Sequence, residues 1–288
     1  MANLDPGVVS SFGEEWSKFD HIARADADEL KIFELYFGDF PWEQIRRDAV
    51  AFDLGCGSGR WAYFVAPRVG VLHCIDASAE ALAVARRKLA AHPNCCFHCA
   101  AVDEIPLADD SADLGYSLGV LHHVPDTQAG ISNCVRKLKP GAPLLLYLYY
   151  AFENRPAWYR WLWRSSEFGR SLVSRLPFLW KSKACDIFAL TVYWPLARFA
   201  SACGRLGMKV ENFPLSAYRD RSFYEMRNDA LDRFGTRLEK RFTQSQVRSM
   251  MVAAGLERIS FRTFPYWCAL EYKKLGNCRL PAPIAPHP

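Results

Sequence analysis

Between Asp48 and Tyr150, short apolar runs alternate with stretches of helical period. AVAFDL, VLHCID, CCFHCAAV and ADLGYSLGV have strand length, and APLLLYLYY is apolar enough throughout to suit a central strand covered on both faces. RWAYFVAPR, AEALAVARRKLAAH and QAGISNCVRKL read as the intervening helices, the last stopped by Lys139-Pro140-Gly141. Strand and helix in strict alternation predict right-handed βαβ crossovers and a mainly parallel sheet.

The alternation breaks at Ala151 and resumes near Thr243. There Thr243 and Gln246 have the spacing of a capping box, Gly255 is placed to end the helix, and LERISFRTF and YWCALEYKK read as two strands joined around Pro265. Residues 12–37 read as helices. So does the interval after Ala151, where ACDIFALTVYWPLARFASA predicts amphipathic helices broken near Pro195. The expected organisation is cap helices over 1–47, an α/β core over 48–150, a helical cap over 151–242, a helix and strands completing the core over 243–276, and a disordered proline-rich tail over 277–288.

Composition changes this picture at one place. The 288-residue chain is 50% apolar with a net charge of +5, but residues 151–241 hold 17 Lys or Arg against 9 Asp or Glu, leaving 19 against 22 elsewhere. The basic character therefore belongs to the cap, which is also aromatic, as in PAWYRWLWR. No opening signal segment and no membrane-length apolar run is visible, so a cytoplasmic protein is expected. The ten cysteines are expected to be reduced and mostly buried. NCCFHC suggests a metal site, but strand alternation sends its side chains to opposite faces, and no metal is expected.

The stretch FDLGCGSGR carries the chemistry. A dinucleotide turn has glycine at the first, third and sixth positions, whereas here Gly55, Gly57 and Gly59 are followed by Arg60, and Asp53 would repel a pyrophosphate. A ligand that wants a glycine floor and nearby negative charge is anionic at one point and cationic at others. The blocks D-x-G-x-G-x-G, HCIDAS, DEIPLADDSADLGYSLGVLHHVPD and RKLKPGAPLLLYLYY, in that order, resemble the class I S-adenosylmethionine-dependent methyltransferases. The similarity is greatest to the small-molecule branch that includes ubiquinone and menaquinone biosynthesis methyltransferases. It is strong over Asp48 to Tyr150 and weak over Thr243 to Lys274.

That resemblance implies a Rossmann-like, seven-stranded, mainly parallel sheet with helices on both faces, its last strand antiparallel, and a helical cap inserted after strand 5. It implies S-adenosyl-L-methionine as cofactor, held by Asp53, Gly55, Gly57, Gly59, Asp76, Ala77, Val102, Asp103, Leu118 and Gly119. Asp76, 21 positions after Gly55, stands where the family bonds both ribose hydroxyls. Ala101 departs from the polar side chain the family often carries there, which leaves the adenine to groups near Val102 and Asp103. Of the paired histidines at the fourth-strand exit, His122 is expected to face the pocket as a catalytic base and its neighbour the core. Tyr218, Arg221, Tyr224 and Asn228 are expected to contact the acceptor, with Tyr224, Arg227 and Asn228 sharing a helix face.

The expected partner is a small-molecule acceptor, anionic, phenolic or lipid-like, with peripheral membrane contact through 156–203 as an open alternative. No nucleic acid is expected, because neither a Pro-Cys nucleophile nor an Asn/Asp-Pro-Pro-aromatic motif is present. Nucleic-acid or protein methylation and a non-catalytic cofactor-binding role stand as alternatives.

Overall fold

The computed structural model describes residues 3–18, 27–210, 213–262 and 268–274. Seven strands form one sheet in the order β3-β2-β1-β4-β5-β7-β6. They are β1 (Val50–Leu54), β2 (Val71–Asp76), β3 (Cys95–Cys99), β4 (Leu114–Leu118), β5 (Pro143–Tyr147), β6 (Leu256–Phe261) and β7 (Cys268–Lys273). The first five are parallel, and β7 runs antiparallel between β5 and β6.

Helices α1 (Pro6–Lys18) and α2 (Ala27–Phe37) precede the sheet; α3 (Ala62–Val65), α4 (Ala79–Lys88) and α5 (Thr127–Lys137) make the crossovers. Local chemistry starts two of them: Ser78 caps α4 by accepting the Ala81 N–H at 3.2 Å, and Asp126 caps α5 by accepting the Ala129 N–H at 2.9 Å. One sheet face packs Phe52, Leu54, Leu144 and Leu146 against α5 and against Val247 and Met251 of α10 (Gln244–Ala253). The other packs Leu72, Leu114, Tyr116 and Leu145 against Phe33 and Phe37 of α2 and Leu82 of α4. Each such large side chain contributes roughly 1.5–3 kcal/mol by burial. Thr243 and Gln246 form both halves of the capping box at the start of α10.

The cap comprises α6 (Ala157–Val173), α7 (Phe178–Phe188), α8 (Trp194–Arg205) and α9 (Phe223–Gly235). A π turn, Ala189–Tyr193, separates α7 from α8, whose first turn holds Pro195. The cap has its own apolar core, built on Cys185, Tyr193, Met226, Leu231 and Phe234.

Cys56, Cys74, Cys134, Cys185 and Cys268 are buried as expected, whereas Cys96 and Cys99 are exposed on opposite faces of the edge strand β3. The expected turn at Pro265 and the tail over 277–288 lie outside the described residues.

Candidate active site

Because β1, β2 and β4 are parallel neighbours, Leu54, Asp76 and Leu118 end at one edge of the sheet. Between these exits and α1 lies a cavity of about 120 Å³. Gly55, Asp76, Ala77, Val102, Leu118 and Gly119 line one side, and Val8, Phe12 and Trp16 of α1 line the other.

The glycine loop is shaped by close approach. Gly55 has φ +78°, and a β-carbon on it would fall 2.3 Å from Val120 Cγ2. Gly57, at φ +52°, lies under the Trp16 indole, which a β-carbon would meet at 2.9 Å. Asp76 ties this loop to the next: it accepts the Gly57 N–H at 2.8 Å and the Ser78 N–H at 2.9 Å. Burial raises its pKa, while the Ser78, Gly57 and Ala77 amides pull the other way. A carboxylate has about four acceptor positions, so these amides leave Asp76 with capacity for a ribose hydroxyl. The glycine floor and this carboxylate fit S-adenosylmethionine.

Four of the expected cofactor residues stand elsewhere. Asp53 does not line the cavity: Leu54 faces it, so alternation turns Asp53 to the opposite sheet face, across from Tyr116. There the Asp53 side chain is buried, and desolvation pushes its carboxyl well up. Gly57 is covered by Trp16, and Gly59 lets α4 approach, since a β-carbon on it would meet Leu89 at 3.0 Å. Asp103 accepts the Asn3 N–H at 2.9 Å and so holds the chain that enters α1.

The two histidines are reversed from expectation. His123 lines the cavity, whereas His122 is sealed off, its ring stacked on Tyr149 with centroids 3.8 Å apart. Burial, with His123 and Arg241 acting in the same direction, holds the His122 pKa well below the usual imidazole range. The alternation argument fails here because Gly119, at φ +79°, ends the strand before the histidines. His123 Nδ1 lies 2.7 Å from the Leu238 carbonyl, which only an N–H can satisfy, so Nε2 is left as the bare nitrogen. That Nε2 stands 3.7 Å from Asp232 Oδ1.

The expected acceptor residues do not line the cavity either. Tyr224 packs on the cap core, Tyr218 bonds Asp229 and meets Tyr193 edge-on, and Arg221 pairs with Glu225 at 3.5 Å. Asn228 is buried with no partner for Oδ1 among the described residues. Tyr224, Arg227 and Asn228 do lie at i, i+3 and i+4 of α9, but this side meets α7 instead of the cavity, and Arg227 binds Asp186 of α7 at 2.9 Å. One cap group that reaches the strand exits is Asp232, which accepts the Tyr149 hydroxyl and whose pKa burial raises. Asp229, one turn earlier, is pushed up to about 6 by burial and by Asp232. Arg60, in the sixth loop position, joins Glu29 of α2 at 3.6 Å and Glu225 of α9 at 3.4 Å. Its departure from glycine was the only sequence signal for that clamp; Phe12, Trp16 and Tyr149 carried none, and Asp232 stood out only as one member of the polar cluster over 218–233.

Sheet order, glycine loop and strand-end carboxylate define a class I S-adenosylmethionine-dependent methyltransferase domain, with S-adenosylmethionine as its cofactor. Residues 52–146 match the methyltransferase domain family. The chain is 33% identical over 125 residues to phosphoethanolamine N-methyltransferase 2 of Caenorhabditis elegans, across 42% of this chain and 27% of that one. It is 33% identical over 153 residues to the ubiquinone biosynthesis O-methyltransferase of Idiomarina loihiensis, across 49% and 60%. The chain thus spans between about a quarter and three fifths of the length of these curated relatives. Among solved structures, Haemonchus contortus phosphoethanolamine N-methyltransferase 2 with S-adenosyl-L-methionine is 16% identical, over 81% of this chain and 37% of that one, with a TM-score of 0.44.

Proposed function

We propose that the protein methylates a small-molecule acceptor held between the strand exits and the cap. The observation that carries this reading is the position of His123 and Asp232, where a cap acid and a cavity-lining base meet at 3.7 Å. The two similar curated proteins carry names that place them on small acceptors, one an N-methyltransferase and one an O-methyltransferase.

The cofactor, when bound, supplies an activated methyl group on a neutral leaving group, so the protein's work is alignment and exclusion of water. Asp76 and the Gly55 backbone hold the cofactor side. α1 closes the mouth through Phe12 and Trp16. His123 Nε2 takes a proton from a hydroxyl or ammonium acceptor, with Asp232 stabilising the imidazolium that results. His122 supports this arrangement by stacking on Tyr149, which holds Asp232. The acceptor is identified by comparing metabolites of a deletion strain with its parent for species differing by one methyl group. Unchanged metabolites, together with no transfer to any fraction of the parent extract by the purified protein, would defeat the reading.

A further inference from the structure

The outside of the cap is apolar to an unusual degree. Of the 17 large hydrophobic side chains exposed among the described residues, 14 lie between Trp158 and Met208. α6 has no buried residue at all along 17 positions. Trp158, Trp161, Phe168 and Leu172 recur on it at helical spacing, with Trp161 70% and Phe168 74% exposed. On α7 and the turn that follows, Leu179, Ile187 and Leu190 repeat the stripe beside Trp180, and Phe199 and Leu206 continue it on and just beyond α8. α6 and α7 pack their other sides on α9, and α8 packs on the turns beside it, so these stripes lie on the outer surface.

Charge accompanies the stripe. Residues 156–210 hold nine Lys or Arg and two acids, Glu167 and Asp186. Both acids are engaged, Glu167 with Arg170 and Arg233, and Asp186 with Lys18 and Arg227. Arg160, Arg164, Arg175, Lys183 and Arg205 are exposed and form no ion pair among the described residues. Toward the C-terminal end of α6, Arg170, Ser171, Ser174, Arg175 and Arg237 line a groove of about 380 Å³. Guanidinium groups and hydroxyls around a concavity are donors matched to a phosphodiester.

We infer that α6 to α8 form a docking surface for an anionic lipid bilayer, lying in the interface with tryptophans at headgroup level and cations over the lipid phosphates. Tryptophan and basic residues on one amphipathic surface are what such an interface stabilises, and among the described residues no helix is long and apolar enough to cross a membrane. A face meant for a second protein would be expected to carry fewer unpaired cations. The inference stands independently of the methyl-transfer reading.

The 288-residue protein is sedimented with phosphatidylcholine vesicles, with and without phosphatidylglycerol. Binding to the phosphatidylglycerol vesicles that weakens as salt rises is expected, with partitioning about fivefold lower for each cation neutralised. Trp161→Ala with Trp180→Ala, or Arg164→Glu with Lys183→Glu, should each reduce it roughly tenfold or more while circular dichroism and Tm stay at wild-type values. The inference is overturned by wild-type protein that ignores both vesicles, by folded variants that bind as well as wild type, or by a solution dimer that the tryptophan pair dissolves while vesicles bind neither form. The wild-type dependence on lipid and salt decides the matter even if a variant fails to fold.

Discussion

The Gly57 amide donates to the Asp76 carboxylate at 2.8 Å, so the glycine loop after β1 and the acid that ends β2 are one unit. Asp76 therefore has two tasks, to shape the loop and to present its remaining lone pairs to the cavity.

Asp76→Ala removes both. S-adenosylmethionine affinity by titration calorimetry should fall roughly 10- to 100-fold, the range expected for losing hydrogen bonds to a charged group. Gly57→Val should weaken binding comparably, because the new side chain displaces Trp16. Wild-type affinity in both variants would show that the cavity is not the cofactor site.

Once the acceptor is known, the two histidines should separate cleanly. His123→Gln is expected to lower turnover by roughly 10² with cofactor affinity nearly unchanged, and to remove the acidic limb of the pH-rate profile. His122→Phe, which keeps the ring stack on Tyr149, is expected to retain that limb. A normal acidic limb in His123→Gln would end the proposal that His123 is the base.

His122 also makes a stability prediction whose sign follows from its depressed pKa. The unfolded chain takes up the proton near pH 6.5 while the folded one does not, so the neutral ring's contribution is present above that pH and is lost as pH falls below it. Wild-type Tm should drop between pH 7.5 and pH 5, and the drop should be smaller in His122→Phe. Parallel Tm curves for the two proteins would contradict this.

Glu271 of β7 is fully buried, neither carboxyl oxygen has a protein partner among the described residues, and burial raises its pKa well above the usual carboxylate range. With its folded pKa raised, the contribution of Glu271 to stability is greatest below the usual carboxylate pKa and is lost as pH rises through the folded one. Glu271→Leu should stabilise the protein by roughly 1–3 kcal/mol at pH 8 and by less at pH 4 in chemical denaturation. A destabilised variant at pH 8 would mean that the carboxyl serves the fold in its charged form.

What the sequence determined by itself is what neighbouring residues dictate. The periods of the apolar runs, the Thr243–Gln246 box, the glycine turn and the Lys139-Pro140-Gly141 stop act over a few residues, and they sufficed for element order and the parallel sheet, whereas the six expected residues that line the cavity came from the family resemblance of the sequence blocks. Boundaries were read too long: β3 ends at Cys99 and β5 at Tyr147, where ladder pairing stops although the apolar run continues.

The tertiary structure decided the rest, because it depends on contacts between residues far apart in the chain. Asp53 and Leu54 differ by one position, yet only the layers packed on each face determine which of them meets the cavity. His122 and His123 are told apart by Leu238, a carbonyl 115 residues away, and by where Gly119 breaks the strand. Trp16 acquires its place from the Gly57 backbone it covers, and Asp232 acquires its role from Tyr149 across the cap boundary. Tyr224 and Arg227 were expected on a helical face turned to the acceptor, but the cap has a core of its own, and that face meets α7, Tyr224 by packing on the core and Arg227 by pairing with Asp186.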